Sequence, residues 1–168
     1  TGGSKMNETA RKVIVVGVDG MEPRLAKKYL EWEPIVTIEE GLTNEPYTFT
    51  IKNNCSTKAS YQVSLESLNE TENTLSVENV HISLEDSIGR RTTSVLGALD
   101  ETLISNENAY DARKIVNGEL EGNGSTDYKL YMWLDHDATK EDATIKTYTS
   151  KIVVSAKKIF LIIFCIIV

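Results

Sequence analysis

The chain has 168 residues, 40% of them hydrophobic, which is enough for one domain with a core and too few for two substantial ones. Its formal charge of -7 opposes binding to phosphate backbones, so nucleic acid is set aside as a partner. Cys55 and Cys165 lie far apart in unlike surroundings, which argues against a disulfide framework and leaves no zinc-type cysteine pair.

Thr1–Ser4 (TGGS) reads as a flexible linker and is left out of the fold. Val13–Val18 (VIVVGV) has the composition of a short buried strand, with a turn at Asp19–Gly20. Glu22–Glu33 reads as a helix with Pro23 in its first turn, and Pro34 ends it. From Ile35 the period changes. Tyr47, Phe49 and Ile51 alternate with Thr48, Thr50 and Lys52, which predicts a strand with one buried face. Tyr61, Val63 and Leu65 repeat the pattern within Ser60–Leu68, and the turn Asn53–Lys58 between the two runs suggests a hairpin.

Val80–Leu84 alternates again after the polar bridge Asn69–Asn73. Val95–Leu99 suits a brief helical turn, and Glu101–Asp111 reads as loop. Ile115–Leu120 and Tyr128–Leu134, joined by Glu121–Asp127 (EGNGSTD), predict a second hairpin, and Thr147–Ser155 the last strand. Several short strands separated by Gly, Asn and Asp clusters favour a mainly β fold, an antiparallel two-sheet sandwich of immunoglobulin-like or jelly-roll-like type, with a short N-terminal strand-helix segment. The expected organisation is a linker, strand and helix over 1–33, the sandwich over 34–156, and an apolar tail over 157–168.

That tail, Ile159–Val168 (IFLIIFCIIV), follows Lys157 and Lys158. A helix crossing a bilayer needs about 20 apolar residues, so this run is too short to span as it stands. It reads as the start of a membrane anchor, as an accident of where the chain stops, or as a buried strand.

No catalytic constellation stands out, and no cofactor is expected. Asp135 and Asp137, with Glu141 and Asp142, are weak candidates for a loop calcium site, since the EF-hand spacing is absent and an acidic surface loop is the better explanation. Trp133 shares a strand face with Lys129 and Tyr131, which suits either carbohydrate stacking or packing beneath another element. Cys55 reads as an inert thiol on a turn. The Asn-x-Ser/Thr sequons at Asn7, Asn54, Asn69 and Asn123 fit exposed turns.

From Glu33 to Ala156 the chain resembles the camelysin and biofilm-fibre group of bacterial surface proteins. The resemblance rests on EPIVTIEEGLTNEPYTFTIKNNC (Glu33–Cys55), ASYQVSLESLN (Ala59–Asn69), YKLYMWLDHDAT (Tyr128–Thr139) and SKIVVSA (Ser150–Ala156). It implies an extracellular, non-catalytic β-sandwich that takes part in a matrix or fibre. A member of the group has been classed as a metallopeptidase, but this chain has no H-E-x-x-H helix, and His81 and His136 sit in unrelated segments. The resemblance departs over Lys12–Trp32, which stands where such proteins carry an export helix and their first strands.

Lys12–Tyr29 (KVIVVGVDGMEPRLAKKY) resembles instead the opening of metal-dependent phosphodiesterases of the alkaline phosphatase superfamily, which implies Asp19 as a metal ligand at a strand end. That chemistry also needs a Ser or Thr nucleophile and a later Asp/His cluster, for which Asp135, His136 and Asp137 are the only grouping.

Three expectations follow. The first is a structural or adhesive surface module whose open sheet edge accepts a strand, with Val13–Val18 or the apolar tail as donor and another copy or another surface protein as partner. The second is a phosphodiesterase fragment using Asp19. The third is a junction of two unrelated pieces near Pro34.

Overall fold

A computed structural model of the chain describes residues 24–25, 37–138 and 146–157. The strand Val13–Val18, Asp19, most of the expected helix and the apolar tail lie outside them. Arg24 and Leu25, expected to be helical, instead form the two-residue strand β1. They are followed by a single helical turn α1 (Ile38–Gly41), then β2 (Tyr47–Lys52), β3 (Ala59–Leu68), β4 (Val80–Asp86), β5 (Arg91–Val95), β6 (Ala109–Leu120), β7 (Ser125–Leu134) and β8 (Tyr148–Lys157). The alternation read from the sequence is the alternation of burial. In β2, Phe49 and Ile51 are buried while Thr48, Thr50 and Lys52 face water. The expected helical turn is present as a 3-10 turn at Leu96–Ala98.

The strands form two antiparallel sheets, in the orders β1-β8-β3-β6 and β2-β7-β4-β5. Their inner faces enclose one core built on Val63, Leu65, Val80, Ile82, Leu84, Ile115 and Leu130. Each such side chain stabilises the fold by roughly 1.5–3 kcal/mol through removal of apolar surface from water. The architecture is the expected antiparallel sandwich.

The pairing of the strands is not the expected one. Neither proposed hairpin exists: β2 pairs with β7, while β3 lies between β6 and β8. Both connections cross from one sheet to the other, and Asn53 ties the two crossings together. This side chain is 3% exposed, and its amide N–H groups donate to the carbonyls of Thr57, Leu120 and Glu121 while its Oδ1 accepts from the backbone N–H of Cys55. Backbone bonds from Asn53 to Gly124 and from Asn123 to Cys55 lay the two crossings against each other. Asn123 carries a φ of 59° there, a left-handed conformation that asparagine tolerates.

The hairpin that does form is β4–β5, around Gly89 with φ of 83°. Asp86 closes it by accepting from the backbone N–H groups of Ile88 and Arg90 and from the Arg90 guanidinium. Two further differences concern extent. β5 was not expected, and β6 begins at Ala109, inside the stretch read as loop.

Candidate functional site

Two features of the sandwich bear on function: a corner that holds both histidines, and the edges of the sheets. The corner begins with α1. Thr37 caps it by accepting the N–H of Glu40 at 3.1 Å, and Glu39 and Glu40 complement the dipole of its first turn. The turn packs Gly41 against the face of Trp133 so closely that a Cβ at that position would overlap the indole. Asn44 extends the seal by donating to the Met132 carbonyl at 3.2 Å.

Trp133 is therefore 3% exposed, and of its two expected roles the structure assigns packing beneath another element. Its other neighbour is His81, directly opposite on β4, whose ring stacks at 4.6 Å between centroids and 10° between planes. His81 Nδ1 lies 2.9 Å from Asp135 Oδ2. His136 Nδ1 lies 3.6 Å from Asp135 Oδ1 and its Nε2 lies 3.0 Å from Asp137 Oδ1. The two histidines, read as belonging to unrelated segments, thus meet at one carboxylate. Sequence reasoning missed this because 54 residues separate His81 from Asp135, and only the β4–β7 register, Val80 opposite Leu134, brings them together.

Asp135 is 5% exposed. Burial pushes its carboxyl up, but the His81 hydrogen bond, the N–H of Asp137 and the nearby His136 outweigh it and hold the group below the usual carboxylate range. Ligand atoms of Asp135, His136 and Asp137 all lie within 4.8 Å of one another, a spacing that could admit a cation. Each of those side chains is already engaged within the cluster, so the turn closes on itself through its own hydrogen bonds. Glu141, Asp142 and Asp19, the other metal-ligand candidates, lie outside the described residues. Cys55 is half-buried on the first crossing and bears a free thiol.

The edges differ from one another. β8 pairs with β3 from Ser150 to Lys157 on one side. On its other side, among the described residues, it pairs with β1 at Tyr148 and Thr149 alone. The remaining run, 150–157, carries Ile152, Val153 and Val154 and has no partner on that side among the described residues. Among the described residues no helix is long and apolar enough to cross a membrane. No family model, curated protein or solved structure matches the chain.

Proposed function

We propose that this chain is a non-catalytic structural or adhesive module of a bacterial surface or matrix, joined to neighbouring copies or to another surface protein by strand addition at β8. The observation that carries the reading is that, among the described residues, the ten-residue β8 is paired on the side away from β3 at Tyr148 and Thr149 alone. An edge of this kind presents its N–H and C=O groups to any extended segment, and the pairing supplies affinity without a shaped pocket. The surface or matrix setting rests on the resemblance of residues 33–156 to bacterial fibre proteins. Val13–Val18, outside the described residues, is the candidate donor segment.

Light scattering over a range of concentrations tests this, comparing the chain with a version lacking residues 12–18. The expected result is concentration-dependent association of the full chain that disappears on deletion. A monomer of constant mass at every concentration would remove the proposal.

A further inference from the structure

β6 is the longest strand of the sandwich, with twelve residues, and it stands at an edge with β3 on one side. Left bare it would be a stronger template for an added strand than β8. The edges of the other sheet are weaker ones, since β2 has six residues and ends on Lys52, and β5 has five and starts with Arg91. Yet part of β6 is covered from within the chain. The N–H of Lys114 donates to the Asp100 carbonyl and the N–H of Thr102 to the Ala112 carbonyl, both at 2.9 Å, with Glu101 opposite Arg113.

Side chains reinforce this cover. Lys114 Nζ lies 3.0 Å from Asp100 Oδ2, and Arg113 donates to the carbonyls of Gly97 and Leu99 at 3.0 Å. The segment then folds over the outer face of the sheet. Gln62 on β3 donates to Thr102 Oγ1 at 2.9 Å, and Glu66 Oε1 accepts both the backbone N–H and the hydroxyl of Ser105. Residues 115–120 of the edge remain, and they present Asn117 and Glu119, the latter paired with Lys58 at 2.6 Å. Polar and charged side chains of this kind blunt an edge.

We propose that residues 99–108 are a strap, clipped in place by Glu66, that closes β6 to a strand from a second copy of the chain. The proposal rests on the strand-addition reading. Freeing the β6 edge adds an acceptor edge to each copy, which permits branching and larger assemblies. The clip is poised rather than tight. Glu66 is fully buried, and among the described residues its Oε2 has no hydrogen-bond partner. Closing the strap strips water from that oxygen, a desolvation cost that opposes closing.

Glu66→Ala removes the clip and loosens the strap. Ser105→Pro, at an exposed position, removes the backbone donor without touching the core and gives a second way to open the strap.

Hydrogen exchange at the Thr102 and Lys114 amides reads the strap directly, with β3 amides as the reference for global stability. Glu66→Ala and Ser105→Pro should each raise exchange at both amides by at least about tenfold, the effect of losing one charge-assisted hydrogen bond. Light scattering on the same samples should show larger assemblies for the two opened variants than for the unaltered chain at equal concentration. Unchanged exchange in both opened variants would overturn the strap. Faster exchange with no change in assembly size would overturn its role as a gate. Association of the opened variants beside an unaltered chain that never associates would refute the β8 reading while supporting the gate.

Discussion

Gly41 and Trp133 are locked together: the α-carbon of the one-turn helix lies so close to the indole face that no side chain fits between them. Because His81 covers Trp133 on the same sheet, the indole cannot slide to make room. Gly41→Ala should therefore destabilise the sandwich by about 1–3 kcal/mol, the usual cost of forcing extra volume into a packed site. Urea unfolding measures the loss. Tryptophan emission in a Trp32→Phe background should shift to the red in the native state as Trp133 gains contact with water. An unshifted spectrum and an unchanged midpoint would show that the helical turn does not seal the corner.

Gly89 gives a contrasting case. Its φ of 83° requires a left-handed backbone, yet a Cβ there would meet nothing within 4 Å. Gly89→Ala should cost only the conformational strain, about 1 kcal/mol, with no change in tryptophan emission. A loss as large as that of Gly41→Ala would mean that the β4–β5 turn is packed rather than open.

Asn53 joins the two crossings between the sheets. Asn53→Ala leaves three carbonyls and one N–H at the corner without their partner and should cost about 2–3 kcal/mol. Asn53→Asp should cost more at neutral pH despite its similar shape, because a carboxylate would face the carbonyl oxygens of Thr57, Leu120 and Glu121. The order of the two urea midpoints checks the argument, and Asp above Ala would contradict it.

These residues also mark what the sequence could and could not reveal. The faces of the strands were legible, since Phe49 and Ile51, Tyr61, Val63 and Leu65, and Tyr128 and Leu130 recur every second position and all are buried. Period 2 fixes which way a side chain points and leaves its strand's partner open. Asn53, which ties the two crossings together, makes its contacts with residues 67 and 68 positions away, which no local motif reveals. β5 gave little signal because its residues before Val95 are polar and none of the five is fully buried. The corner at Asp135 gave none that concerned His81, since a register, and no local motif, joins them.

Asp135 makes the corner sensitive to acid in a defined direction. Its folded-state pKa is depressed, so the stability it contributes is fully present above the unfolded value of about 3.9 and is lost as pH falls through the folded one. Asp135→Asn should thus be less stable than the unaltered chain at pH 7, and the gap between them should narrow below about pH 4. Urea unfolding at several pH values measures the gap. A gap independent of pH would mean that the carboxylate acts through packing and not through charge.

At the alkaline end the tyrosines take over. Burial raises the pKa of Tyr148, which is 1% exposed and hydrogen-bonded to Ser67 at 2.7 Å. Burial also raises that of Tyr128, aided by the Tyr61 hydroxyl 2.7 Å away across the core. Each phenol stays protonated in the folded state above the pH of about 10 at which it ionises once unfolded. The unfolded state therefore binds fewer protons in that range, and stability falls as pH rises by up to about 1.4 kcal/mol per pH unit for each such tyrosine. Tyr148→Phe loses the Ser67 hydrogen bond and should be less stable at pH 7. It also removes one ionisation from the unfolded state, so its stability should fall less steeply above pH 10 and approach that of the unaltered chain. Parallel curves from pH 7 to 11.5 would show that Tyr148 ionises as readily inside the sandwich as in water.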